Sequence, residues 1–351
     1  MHGHRLAIAF VATALACAGT AATSTAATST PAAAVAPAAA APAAARVRVA
    51  VSSDAITLLP VQLAQTLGYY REEGLDVSLT EIRSLPRTLD ALQDGSTDVA
   101  LGTTAPIQMA AEGRSIQGFL VIYSRINTML VVSPAAAADI HGISDLRGHR
   151  VGVSSLGSGS QLFLNYLLGV HGLQGTDISA VAIGVGRPAL DAIEHGQVDA
   201  AIVVGGAINV LLRAHPGLRI LADTRTVEGS RQVFGAASYP GSLLIAEQSW
   251  LQSNPDTARR FVRAVRRGMQ WMATHSAEEI RASMREEQRL PDAEADLQTI
   301  RDFQQMLSPD GAIQPGSAEL MYRVLGASLE NVRTARIDLA RAYTNDYLNG
   351  G

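Results

Sequence analysis

The chain has 351 residues, 47% of them hydrophobic, and 28 basic residues against 32 acidic ones give a formal net charge of -4. That length supports one large or two medium domains with a sizeable core, while the mild acidity and the lack of a basic block speak against a nucleic-acid partner. Every basic residue is arginine, which excludes a Walker A loop, a pyridoxal-phosphate Schiff base and a lysine nucleophile; Cys17 is the sole cysteine, so internal disulfides and cysteine-based zinc sites are excluded as well.

Met1 to Arg5 is a short positive start, and Leu6 to Ala16 is an apolar run too short for a permanent membrane span, so residues 1–17 read as a secretory signal. Two processing outcomes compete. Ala14-Leu-Ala-Cys17 resembles a lipobox, with Ala14 where a branched apolar residue is usual, and would make Cys17 a lipidated N-terminus; alternatively a signal peptidase cuts among the alanines that follow. The lipidated form is favoured because a lone cysteine sits just after the apolar run, and it would tether the protein at a membrane surface. Residues 18–45 are nearly all Ala, Thr, Ser and Pro and read as a linker with no core of its own.

Folded sequence is expected from Arg46. Strands are predicted at Arg46–Val51, Val77–Ile82, Asp98–Leu101 and Ile116–Ile122, with helices over Ile56–Leu67 and Pro86–Leu92 and a further helix opened by Pro106. Short connections between alternating strands and helices imply parallel strands with crossover helices. Asn127–Val132 reads as a crossing into a second alternation. Its strands are Val151–Val153, Ile178–Ile183, Ala200–Val204 and Leu218–Ala222; its helices are Gln161–Val170, Pro188–Glu194 and Ala207–Ala214. Asp223–Pro240 reads as an irregular return crossing, followed by a strand at Ser242–Ala246. Helices follow at Pro255–Thr274, Ala277–Glu287 and Asp292–Leu307, with two shorter ones from Ser317 onward. Arg259, Arg260, Arg263, Arg266 and Arg267 mark a basic helical face expected to be solvated.

The stretch Val151-Gly-Val-Ser-Ser-Leu-Gly-Ser-Gly-Ser160 organises this reading: a buried strand end, a Ser/Gly turn, then a helix. Such a turn offers backbone N–H groups, a helix dipole and hydroxyls to an anionic or strongly polar group, although Ser158 or Ser160 acting as a simple cap is the plainer alternative. Similar turns recur at Gly184–Pro188 and Val204–Gly206. Two α/β lobes with strand-end turns facing a common cleft describe a hinged binding protein. The boundaries are 46–126 for the first part of lobe I, 127–225 for lobe II, and 226–351 for the return to lobe I with the C-terminal helices.

Leu67-Gly-Tyr-Tyr-Arg-Glu-Glu-Gly-Leu-Asp-Val77, Asp98-Val-Ala-Leu-Gly102, Asp145-Leu-Arg-Gly-His-Arg-Val-Gly-Val153 and Gly196-Gln-Val-Asp-Ala200 occur in order. With Tyr343-Thr-Asn-Asp-Tyr347 near the end, they resemble the landmarks of the NMT1/THI5-like, sulfonate/nitrate/taurine-type substrate-binding proteins of ABC transporters. The resemblance implies the type II periplasmic-binding-protein fold, two α/β lobes joined by two hinge crossings with a helical C-terminal region. It also implies capture of a small solute between the lobes and a membrane permease as partner. With the secretion signal and the missing metal and catalytic motifs, the expectation is an extracytoplasmic monomer that binds an anionic or polar organic molecule without cofactor, metal or catalysis. Carried onto this chain, the cleft positions fall on Ser52, Ser53, Thr103, Thr104, Ser154, Gly157, Ser158 and Gly205. Val203-Val-Gly-Gly-Ala207 departs from the bulky residue and proline usual in sulfonate-type members, leaving more room for a larger or aromatic solute.

Arg125 and Arg187 are candidate anion partners, with a surface role the plainer reading for each. His141, His149, His171, His195 and His215 show no metal-ligand spacing. Gly157-Ser-Gly159 has Leu162 in place of the third glycine of a dinucleotide fingerprint, and no Gly-x-Ser-x-Gly elbow is present. Two rivals remain: an exported enzyme on the same fold, although this chain lacks the cysteine-rich motif of the eukaryotic pyrimidine synthases, and a binding protein that serves a sensor.

Overall fold

The computed structural model describes residues 44–51, 56–82 and 84–348. The expected signal segment with Cys17, nearly all of the linker, and Ser52 and Ser53 lie outside the described residues. Ten strands follow in order: β1 (Ala45–Val51), β2 (Leu75–Glu81), β3 (Val99–Leu101), β4 (Ile116–Tyr123), β5 (Thr128–Val132), β6 (Arg150–Val153), β7 (Ser179–Ala182), β8 (Ala200–Val204), β9 (Ile220–Asp223) and β10 (Ser242–Glu247). The helices are α1 (Leu59–Thr66), α2 (Tyr69–Glu72), α3 (Leu85–Gln93), α4 (Ala105–Ala111), α5 (Gly159–Val170), α6 (Arg187–Glu194), α7 (Ala207–Ala214) and α8 (Val227–Phe234). Beyond β10 come or begin α9 (Gln248–Ser253), α10 (Pro255–Thr274), α11 (Ala277–Ser283), α12 (Ala293–Met306), α13 (Ser317–Gly326), α14 (Glu330–Thr334) and α15 (Leu339–Ala342).

The strands form two five-stranded sheets, β2-β1-β3-β10-β4 and β7-β6-β8-β5-β9. Both follow one plan. Three parallel strands stand in the order second, first, third, and an antiparallel strand then separates the third from the last. In each sheet that antiparallel strand is the one that has just arrived from the other lobe: β5 after the first crossing, β10 after the return. Strands covered on both faces need continuous apolar runs, and β4 and β5, both in antiparallel ladders, are buried at every residue.

The crossings run side by side. Tyr239 N–H donates to the Ser124 carbonyl at 2.9 Å and Gly241 N–H to that of Tyr123 at 2.7 Å; Thr224 Oγ1 donates to the carbonyls of Ile126 and Thr128, each at 2.8 Å. A Cβ on Gly241 would stand 1.9 Å from the Arg125 carbonyl oxygen, so only glycine allows the two backbones this approach.

Three expectations need correction. The return crossing contains α8, capped by Thr226 Oγ1 accepting from Gly229 N–H at 3.0 Å. Glycine inside that helix weakens its sequence signal, yet it is required: a Cβ there would lie 1.7 Å from the Asp223 carbonyl oxygen. Helix α9 precedes α10, α11 stops at Ser283, and three short helices rather than two follow Ser317. The arginine face of α10 docks the α2 segment instead of only meeting water. Arg263 pairs with Glu73 at 2.8 Å, Arg267 pairs with Glu72 at 2.6 Å and covers the Tyr69 ring at 4.0 Å, and Arg260 Nη1 donates to the carbonyls of Glu73 and Gly74.

Candidate ligand site

A cavity of about 320 Å³ lies where the carboxyl ends of strands from both sheets meet the crossings. Thr103 and Thr104 reach it from the turn after β3, Ser154, Gly159 and Ser160 from the turn after β6, Val204 from the end of β8, and Ile126 and Thr128 from the first crossing. Phe234 and Tyr239 enter from the return crossing, Leu162 and Phe163 from α5, Val324 and Leu325 from α13. Larger are two surface grooves of about 570 Å³ each and one of about 480 Å³ between α10 and the segment after α12, which touches neither sheet. Of the first two, one is lined by Asp98, Ser115 and Glu247, at the amino ends of the parallel strands; the other touches only the first sheet, at Val51 and Glu81. Ligands of open α/β sheets sit at carboxyl ends, and the smaller cavity draws such ends from both sheets.

The polar groups of the cavity are tied into the frame. Thr103 Oγ1 donates to the Gly241 carbonyl at 2.9 Å, joining the turn after β3 to the return crossing, and Thr104 Oγ1 donates to Gln108 Oε1 at 2.9 Å. Ser154, Ser158 and Ser160 form a triangle of hydroxyls with Oγ–Oγ distances of 2.8–3.0 Å, and Ser160 Oγ also accepts from Ser154 N–H at 2.9 Å. Ser158 occupies the N-cap position of α5 without capping it; its hydroxyl donates to the Ser155 carbonyl at 2.6 Å.

The rest of the lining is apolar and aromatic. Phe234 stacks on Tyr239 with ring centroids 4.6 Å apart and 18° between planes, and Phe163 lies 5.9 Å away. Behind them Tyr166 stacks on Phe234 at 5.7 Å and donates its hydroxyl to the Val233 carbonyl at 3.2 Å. Burial, with Tyr166 nearby, pushes the Tyr239 phenol well above its ordinary range, so it stays neutral at physiological pH. Among the described lining residues there is no Arg, His, Asp or Glu.

Of the residues expected in the cleft, Thr103, Thr104 and Ser154 line the cavity; Gly157, Ser158 and Gly205 do not, and Ser52 and Ser53 are not described. Neither candidate arginine lines it. Arg187 is exposed and pairs with Asp191 and Glu194. Arg125 Nε donates to the Arg225 carbonyl at 3.0 Å and its Nη2 to the Gln305 carbonyl, and burial lowers its pKa. Arg225 in turn lies between Asp223 and Asp302, each at 2.8 Å. Asn209 of α7 donates to Asp302 Oδ2 at 2.9 Å and to Thr299 Oγ1 at 3.0 Å. Both arginines thus fasten the hinge to α12. Sequence reasoning missed the aromatic wall, the part that Val324 and Leu325 of α13 take in the lining, and Asn127, whose two side-chain amide atoms are buried with no hydrogen-bond partner. The alternation Ile126-Asn-Thr128 beside a predicted crossing was the available signal. Among the described residues no group of three or more His, Cys, Asp or Glu side chains could hold a metal, and no helix is long and apolar enough to cross a membrane.

Residues 56–279, more than half of the chain, match the sequence model described as NMT1/THI5 like. The chain belongs to the NMT1/THI5-like family. Within reach of it are YtlA of Bacillus subtilis (strain 168), which carries the name of a binding protein and is 25% identical over 81% of this chain and 84% of its own length, and a 4-amino-5-hydroxymethyl-2-methylpyrimidine phosphate synthase of Aspergillus parasiticus, 25% identical over 65% and 69%. A solved structure from Bordetella bronchiseptica RB50 superposes with a TM-score of 0.76 at 30% identity, covering 87% of this chain and 96% of that one. The alkanesulfonate-binding protein SsuA of Xanthomonas axonopodis pv. citri, solved with MOPS, gives a TM-score of 0.62 at 16% identity over 86% and 98%. The fold of this NMT1/THI5-like protein is therefore the periplasmic-binding-protein fold of ABC importer receptors.

Proposed function

We propose that the protein is the extracytoplasmic receptor of an ABC importer and that its two lobes hold a small uncharged organic molecule bearing a planar ring. The observation that carries this is the cavity itself: it draws strand ends from both sheets, it is walled by stacked aromatic rings, and its described lining offers hydroxyls but no cation. A bare anion taken out of water costs several kcal/mol unless paired. A ring stacks on Phe234 and Phe163 and turns its polar edge to Thr103, Thr104, Ser154 and Ser160, with the unpaired Asn127 amide one residue from two lining positions. Ring-bearing pyrimidines fit this description better than nitrate or alkanesulfonates. A permease is the partner that takes up the solute, the receptor acts as a monomer, and lipidation of Cys17 tethers it to the membrane.

The relatives named as pyrimidine phosphate synthases favour a second reading, an enzyme on this frame. The described cavity lining offers no group that gains or loses a proton near neutral pH, which favours binding over catalysis. Melting temperature measured across neutral pyrimidines, carboxylates, alkanesulfonates and nitrate separates the readings, because a ligand of the folded state raises apparent stability. Pyrimidines are expected to give the rise. A response to nitrate or alkanesulfonates alone would overturn the ligand class, and turnover of a bound substrate would replace the receptor with the enzyme.

A further inference from the structure

Helix α13 builds one wall of the cavity from beyond the stretch that carries the family match, residues 56–279. Val324 and Leu325, 4% and 1% exposed, line the space together with Phe163, Phe234 and Tyr239. The helix is anchored toward both lobes. Arg323 Nη2 donates to the Phe234 carbonyl at 3.2 Å at the end of α8, and Ser328 Oγ donates to the Leu162 carbonyl at 3.4 Å on α5. On the side of the first sheet, Tyr343 forms a parallel bridge with Gly118 of β4, Thr344 N–H donates to the Gly118 carbonyl at 2.9 Å, and the Tyr343 hydroxyl meets Met321 Sδ at 3.4 Å.

A wall held from both sides does not yield to a larger guest by drifting outward. Its two branched aliphatic side chains complete a lining whose other apolar residues have further duties: Val204 and Ile126 belong to or abut strands, Leu162 and Phe163 belong to the buried face of α5, and Phe234 and Tyr239 stack on the return crossing. Substitution at Val324 or Leu325 changes the room for a guest without touching a strand. We infer that α13 is the selectivity wall of the cavity and that Val324 and Leu325 set the largest ring it admits. The inference rests on the ring-binding reading above.

Calorimetric titration of the folded protein with cytosine and with indole compares one ring with two fused rings. Leu325→Ala enlarges the space and is expected to raise the indole-to-cytosine affinity ratio by about tenfold or more, the scale on which apolar pockets discriminate methylenes. Val324→Phe is expected to lower that ratio by a similar factor; should the larger residue prevent folding, Val324→Ala replaces it and is expected to raise the ratio instead. Ratios within about twofold of wild type in both positions would overturn the inference. If neither ring binds the wild-type protein, the ligand class falls by itself and xenon-pressurised crystals decide the wall, since xenon enters apolar cavities regardless of the natural solute. Xenon against Val324 and Leu325 in the wild type, with an additional site in Leu325→Ala, upholds the wall; identical xenon positions in wild type and variant, or none at all, overturn it.

Discussion

On one side of the hinge, Arg125 and Arg225 leave the two crossings and reach α12, where Asp302 also receives Asn209 from α7. On the other, Phe234 and Tyr239 meet Val324 and Leu325 with no charge among the described lining residues. The first contact is directional: each donor has a named acceptor, and it fixes where α12 stands against the second lobe. The second is shaped by volume and leaves room inside. Both flanks are supplied by the chain after β10, so the C-terminal helices complete the hinge rather than decorate one lobe.

Breaking the stack should cost most. Phe234→Ala removes the ring that touches Phe163, Tyr166 and Tyr239 and is expected to lower stability by about 4 kcal/mol, as large-to-small core changes do, read as the midpoint and slope of urea unfolding. Asp302→Ala leaves Arg225 and Asn209 short of an acceptor in a half-buried place and should cost about 3 kcal/mol. It should leave xenon or ring occupancy of the cavity largely intact, whereas Phe234→Ala should not; equal loss of occupancy in both would erase the distinction. Thr103→Val removes the bond to the Gly241 carbonyl and should cost about 1 kcal/mol, with a weaker solute affinity by titration.

The smallest effect is one of pH. Asp292 caps α12 by accepting from Glu294 and Ala295 N–H and pairs with Arg213 of α7 at 3.1 Å. The Ala295 amide, with Arg213 and Glu294 behind it, holds its carboxyl below the usual aspartate value. A depressed carboxylate contributes stability that is present above its unfolded pKa, about 4, and is lost as pH falls through the lower folded value. Amide protection in the first turn of α12, taken relative to the intrinsic exchange rate at each pH, should therefore fall on acidification below about pH 4, while that of α13 amides, beside no such group in the cavity, should hold.

The alternation of short apolar runs with helical spacing made the strands and most helices readable, since β4 and β5 are buried on both faces and look it. Turns at strand ends were equally plain, which is why Thr103, Thr104 and Ser154 were anticipated and do line the cavity. The aromatic wall was hidden for a physical reason. Helix α8 carries Gly229 to clear the Asp223 carbonyl, so its propensity reads as irregular chain, and Phe234 and Val324, which share the cavity wall, stand 90 positions apart in the chain. The arginines illustrate the converse. Arg125 looked like an anion partner because it flanks a crossing, yet its donors are spent on the carbonyls of Arg225 and Gln305.

The exchange of antiparallel strands between sheets has a consequence for synthesis. The second sheet can be completed once residue 223 has left the ribosome, because β5 to β9 are contiguous, whereas the first waits for β10 at Ser242–Glu247 to fill the gap between β3 and β4. Domains usually mature in the order in which they are made. Here the half that starts first finishes last, and until then two unpaired strand edges of it stand open to whatever chaperone or neighbour reaches them.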